Sequence, residues 1–220
     1  MIARDAVSST VDVGAGSSTI TTTVVTGSSS NLILAIIHDQ NGGALGNVTG
    51  CTANGTAMTL WASHRDAVSV DRCTYVFALV APAISTSYSI VATRSSTSFD
   101  MTAISAAYSG AAATNAADAS NYVEQSSGAS LSLTLTTVHD DCWCVSCVIS
   151  NGTFSADTNA TPLASKIADE IYADSNATLG SAGAKTVAMT VTSGTAFGLF
   201  AVSFAPPTVA AVKGGFLALL

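Results

Sequence analysis

Three short His–Asp groups are the residues of this 220-residue chain best suited to chemistry: His38 with Asp39, His64 with Asp66, and His139 followed by Asp140 and Asp141. Imidazoles and carboxylates together suit a divalent cation. Each group falls where an apolar run ends, so the strands of one sandwich could carry all three to a common end. His38, His64, His139 and Asp141 are therefore the candidate cation ligands. Polar residues at strand ends are also what any solvated loop requires. That is the plainer reading, and no metal or other cofactor is expected.

The five cysteines, Cys51, Cys73, Cys142, Cys144 and Cys147, make an odd set in a chain too large to need disulfide staples. Period 2 puts Cys142 and Cys144 on one strand face and Cys147 on the other. That split suits small buried hydrophobes better than a closed zinc cluster, for which a second CxxC or a His pair at ligand spacing is also missing. No G-x-S-x-G elbow and no glycine-rich phosphate loop occurs, so a non-enzymatic protein is expected.

Sugar rings stack on exposed aromatics, and aromatic residues are only 6% of the chain. Trp61, Trp143, Tyr108 and Tyr122 are the candidates. Core packing is the plainer role for both tryptophans, and Tyr122, in a polar stretch, is the better surface residue. Trp61 and Tyr122 are the expected binding residues if a glycan is bound.

The net charge is −7 and the seven Lys and Arg are scattered, which argues against a nucleic-acid partner. No apolar run reaches the length of a membrane span, and residues 1–10 lack the apolar stretch of a secretory signal. Charged residues are only 10% of the chain, against about 25% in an average domain, while Ser, Thr and Val abound. Such a composition favours pleated sheet over amphipathic helix.

The elements that would position these residues follow from period-2 alternation. Residues 71–82 give the clearest strand: Cys73, Tyr75, Phe77 and Leu79 share one face, the other face is only mildly polar, and Pro82 stops the ladder. A central, doubly covered strand is predicted, with Tyr75, Phe77 and Leu79 buried. Residues 19–26 and 31–38 form apolar or β-branched runs of strand length. Residues 48–53 and 56–63 flank Asn54 and Gly55, a strong hairpin signal. In the second run Met58, Leu60 and Ala62 are expected on one face, Thr59 and Trp61 on the other. Further strands are predicted at 86–93, 99–108, 130–137, 143–149, 185–192 and 196–205, and an Ala-rich loop follows Ser109 and Gly110. Residues 163–174 mix a helical spacing of Leu163, Ile167 and Ile171 with a strand-like ending. The residues alone leave the two open.

The order of these motifs resembles a β-sandwich module of phage virion and tail-fibre proteins and of bacterial surface proteins. The resemblance rests on GSSSNLILAII, the hairpin VTGCTANGTAMTLWAS, CTYVFALVAP, the Tyr-Ser-Gly step in AISAAYSGAAA, and the closing AVSFAPP. It spans residues 27–207, although the hairpin departs from the Tyr-Gly-Gly form of such modules. It implies a structural or receptor-facing role, favours the strand over the helix at residues 163–174, and carries over no catalytic residue.

The expectation is an all-β protein: a two-sheet antiparallel, jelly-roll-like sandwich of about ten strands. Residues 1–18 would be an arm, 19–207 the sandwich, and 208–220 an apolar tail. The resemblance implies a virion structural protein, in the capsid, a head fibre or the tail, with other virion proteins as partners. Homo-oligomers would form through Phe216, Leu217, Leu219 and Leu220. The alternative is a carbohydrate-binding module, extracellular or on a cell surface, that meets a glycan.

Overall fold

The computed structural model describes residues 1–40, 45–66, 72–114, 116–155, 157–164 and 170–207. In chain order its strands are β1 (Ala3–Val7), β2 (Val11–Val13), β3 (Thr19–Val25), β4 (Ser30–Asp39), β5 (Val48–Ala53), β6 (Thr56–Ala57), β7 (Thr59–Asp66), β8 (Arg72–Val80), β9 (Ser87–Arg94), β10 (Met101–Ser109), β11 (Ala117–Glu124), β12 (Ser130–Thr137), β13 (Trp143–Ser150), β14 (Thr153–Ser155), β15 (Thr161–Pro162), β16 (Glu170–Asp174), β17 (Gly183–Ser193) and β18 (Ala196–Phe204). Among the described residues none of these elements is a helix, and no helix is long and apolar enough to cross a membrane.

The all-β antiparallel reading holds, and the described residues form four sheets where two were expected. A first inner sheet runs β1-β10-β4-β8-β7, with β2 also on β10, and a first outer sheet runs β3-β9-β5-β6. The second half repeats the order: β11-β18-β13-β16-β15 is the second inner sheet and β12-β17-β14 the second outer one. The strands of residues 1–109 and 117–204 thus follow one plan twice. Three cores hold the layers together. Ile20, Val24, Ile33, Ile37, Tyr75 and Phe77 fill the first sandwich, and Leu131, Leu133, Leu135, Val148, Val187 and Met189 the second. The two inner sheets meet through Leu34, Ile36, Tyr108, Trp143, Tyr172 and Phe204. The stack is therefore outer, inner, inner, outer.

Alternation explains this placement. In β8, Cys73, Tyr75 and Phe77 face the first core while Val76 and Ala78 face the middle one, so the strand is covered on both sides. Leu79, expected buried, is only partly so, because it lies near the strand's end. In β3 and β12 every second residue is buried, and the alternate Thr and Ser point outward.

Four expectations are corrected. The segment 56–63 is two strands, and a bulge between Leu60 and Ala62 turns Trp61 to the middle core beside Ala62. Phe99, expected to begin a strand, is exposed ahead of β10. Residues 111–129 contain β11, a half-exposed edge strand with no continuous apolar stripe. Within 1–18, β1 and β2 both pair with β10, and Ile2 is buried in the middle core. Asn54 (φ 47) and Gly55 (φ 81) make the hairpin turn as expected. Gly110 completes the Tyr-Ser-Gly step with φ +70, and a Cβ there would sit 2.2 Å from the Met1 carbonyl oxygen. Residues 208–220, with Phe216, Leu217, Leu219 and Leu220, lie outside the described residues.

Candidate functional site: a polar seam between two sandwiches

The densest polar chemistry lies where the inner sheets meet, and β16 supplies its centre. Glu170, Tyr172 and Asp174 alternate along that strand, which is buried throughout. Ile171 and Ala173, pointing the other way, enter the second core, so the three polar residues face the first sandwich.

At one end of the strand, Glu170 accepts hydrogen bonds from Arg72 at 3.2 Å and from the Thr102 hydroxyl at 3.2 Å. The Tyr172 and Thr102 hydroxyls are 2.7 Å apart. His38 Nε2 lies 3.1 Å from Glu170 Oε1 without the alignment of a hydrogen bond, while its Nδ1 is 3.1 Å from Thr74 Oγ1. Burial, reinforced by the Arg72 charge, pushes the His38 pKa down to about 3, so the imidazole is neutral. At the other end, Arg4 donates to Asp174 at 2.8 Å, and Tyr108 donates to the same carboxylate at 3.2 Å. Burial raises the Asp174 carboxyl against the opposing pull of Arg4 and Tyr108. It also raises both tyrosine hydroxyls.

The rim of the seam carries a third pair. His64 on β7 contacts the Glu124 carboxylate on β11 through Nε2 and stacks on Tyr122, with ring centroids 3.5 Å apart. Tyr122 is 53% exposed. Trp61, half-buried, packs 6.5 Å from Phe204 across the seam.

The three His–Asp groups do not come together. Each histidine meets its own carboxylate, Glu170, Glu124 or Asp118, and Asp141 stands in an exposed turn with φ 56. Period 2 is the reason at β4. His38 faces the seam, so Asp39 must face the first core, where it pairs with Arg94 at 3.1 Å. Among the described residues no group of three or more His, Cys, Asp or Glu is placed to hold a metal ion.

Near β18, Asp118 lies between His139 (Nδ1, 2.7 Å) and the Ser203 hydroxyl (2.9 Å). A nucleophilic relay puts the imidazole between acid and hydroxyl, and here the carboxylate occupies that place. Burial would raise the Asp118 pKa, but donors from His139, Val138 and Ser203 hold it below the usual carboxylate range.

The thiols follow their predicted faces. Cys147 enters the middle core and Cys142 and Cys144 the second. Burial pushes Cys51, Cys142 and Cys144 up to about 12 and raises Cys147 as well, so these four are not thiolates near neutral pH.

Sequence reasoning missed Arg4, Arg72, Thr102, Glu124, Glu170 and Asp174. A signal was present for β16, where polar side chains alternate in EIYAD. The arginines lie 98 and 170 residues from their partners, beyond any local spacing.

No protein-family model and no curated protein matches the chain. Among solved structures, a conserved protein of unknown function from Pseudomonas aeruginosa PAO1 is similar at 10% identity and a TM-score of 0.32. The match covers 94% of this chain and 98% of that one, and a likeness this distant carries no argument about function.

Proposed function

We propose that this chain is a structural component of a virus particle, acting through self-assembly and attachment to other particle proteins. One observation carries the reading. The ionisable groups of the seam act as struts between two sandwiches, while the outward-facing residues of β3, β9 and β12 are uncharged. On β3 and β9, Thr19, Thr21, Thr23, Ser87, Ser89 and Thr93 point outward, and on β12 Ser130, Ser132, Thr134 and Thr136 do the same. A rigid block with broad hydroxyl faces suits packing against neighbours more than turnover. The motif order over residues 27–207 supports the same reading. Light scattering and electron microscopy of the full chain, alone and with virus particles, test it. Oligomers or particle-bound protein are expected, and a monomer that never co-purifies with virions or filaments overturns it.

A second reading, glycan binding, is favoured by the exposed Tyr122 ring backed by His64. Sugar faces stack on such platforms, which Trp61, turned inward against Phe204, does not offer. A glycan array should then show saturable binding that Tyr122→Ala abolishes and Trp61→Ala leaves largely intact. A blank array removes this reading.

A further inference from the structure

We propose that a pocket between the start of β1 and residues 176–178 binds a small organic carboxylate, held by the Arg4 guanidinium and the Trp143 indole N–H. The site shares no residue with the Tyr122 platform, and it stands whether or not the chain assembles.

The pocket has a volume of about 560 Å³, and its lining includes Ile2, Ala3, Arg4, Trp143, Asn176 and Ala177. Trp143 is its unsatisfied member. The residue is only 5% exposed, yet its Nε1 has no hydrogen-bond partner among the described residues. A buried indole N–H ordinarily finds an acceptor, because unpaired burial forfeits the bond it made to water. The ring is held in place by Tyr108, which packs edge to face against it with centroids 5.8 Å apart. An acceptor then has to be brought to the indole.

Arg4 supplies the charge. One of its N–H groups bonds Asp174 at 2.8 Å and another reaches Asn176 Oδ1 at 3.4 Å, while the side chain stays 25% exposed beside a fully buried Asp174. A guanidinium carries its donors in a planar fork with more than one edge, so the bond to Asp174 leaves room for a second carboxylate.

The architecture alone asks for neither group. The two halves repeat one plan, and the place of Trp143, opposite Phe204, is taken in the first half by Leu32, opposite Tyr108. The place of Arg4, opposite Tyr108, is taken in the second half by Ala117, opposite Phe204. Aliphatic side chains satisfy the packing there, so the fold does not explain the unpaired indole N–H or the exposed edge of the guanidinium. Both groups only donate, and the ligand must accept from each. A carboxylate does so with its two oxygens, and Ile2, Ala3 and Ala177 suit a hydrocarbon body behind it.

The probe is benzoate, with benzamide as its neutral counterpart, added to the nitrogen-15-labelled full chain and followed by NMR. Trp61 and Trp143 are the two tryptophans and give two indole signals, which Trp143→Phe assigns. Benzoate should move the Trp143 indole signal downfield to saturation and leave that of Trp61 in place. Benzamide should bind about tenfold or more weaker, the value of one charge-assisted hydrogen bond. Arg4→Gln should weaken benzoate by a similar factor, and Trp143→Phe, which keeps a ring and loses the N–H, by about fivefold, with binding then followed at the backbone amides of residues 176–178. Thermal melts show that each variant is folded. Should Arg4→Gln not fold because Asp174 loses its partner, Trp143→Phe and benzamide decide the matter. The absence of a saturable Trp143 shift in the unaltered chain, equal affinity for benzamide, or folded variants that bind benzoate undiminished overturns the proposal.

Discussion

The first sandwich builds its central strand from aliphatic residues, Leu32 to Ile37 in β4, whereas its counterpart β13 fills the same place with Trp143, Cys144, Val145, Ser146, Cys147 and Val148. The ladders nevertheless correspond. Leu32 pairs with Tyr108 as Trp143 pairs with Phe204, and Ile36 is flanked by Ile104 and Val76 as Cys147 is by Phe200 and Tyr172. Alternation and strand order are enough to repeat the plan; residue identity is not needed. What separates the halves is the chemistry of the face they share. In the contacts Arg4–Asp174, His38–Glu170, His64–Glu124 and Arg72–Glu170 across the seam, the cation or imidazole comes from the first half and the carboxylate from the second. Two similar sandwiches with an apolar shared face could slide or dock in several ways. Complementary charges at both ends of β16 favour one of them.

Removing the central carboxylate should have the largest effect. Glu170→Ala removes the buried carboxylate that accepts from Arg72 and Thr102, and stripping one side of a buried ion pair costs about 3–5 kcal/mol. Urea unfolding measures it, and a loss below about 1 kcal/mol would mean that the seam's polarity is incidental.

The next experiment compares corresponding positions. Trp143→Ala should cost about 3–5 kcal/mol and Leu32→Ala about 2–5, since both side chains are buried in the core shared by the inner sheets. Because that core belongs to both halves, each variant should lower one common calorimetric transition. Two transitions, only one of which moves, would show that the sandwiches unfold independently.

A smaller, pH-dependent effect comes from His38. Its pKa is about 3 in the folded chain and about 6.5 when unfolded, so below pH 6.5 the unfolded state takes up a proton that the folded state refuses. Stability is therefore full above pH 6.5 and is lost as pH falls toward 3, at about 1.4 kcal/mol per pH unit. The raised Asp174 works in the opposite sense, its contribution being present below its ordinary value of 3.8 and lost as pH rises through the raised one. Thermal melts from pH 7 to 5 should show the decline, and His38→Gln should flatten it. An equal slope in both proteins would assign the acid sensitivity elsewhere.

The readable part of the fold was whatever alternation could encode. The strands β3, β4, β8, β9, β12, β13, β17 and β18 each carry an apolar stripe or run, and the cysteine faces followed from the same period. β1, β2 and β11 lie at sheet edges, bury less, and so leave no stripe in the sequence. The internal repeat was hidden for the reason just argued: its halves share positions and few residues, as where Thr26 and Thr137 each bury a hydroxyl at the close of an outer strand. The site was harder still. Single arginines among scattered charges give no hint that two of them face one strand, and the His–Asp groups drew attention although period 2 sends His38 and Asp39 to opposite faces.

The rim pair should matter least. His64 stacks on Tyr122 and meets Glu124 where the seam opens, with side chains 16% and 11% exposed for His64 and Glu124 against 0% for Glu170. A stacked ring pair contributes about 0.5–1.5 kcal/mol, and charge pairs near solvent add up to about 1. His64→Ala should therefore cost about 1 kcal/mol by urea unfolding, well under Glu170→Ala, and should leave the single transition intact. If the two losses were equal, the polarity of the seam would act over its whole width and β16 would have no special place in aligning the halves.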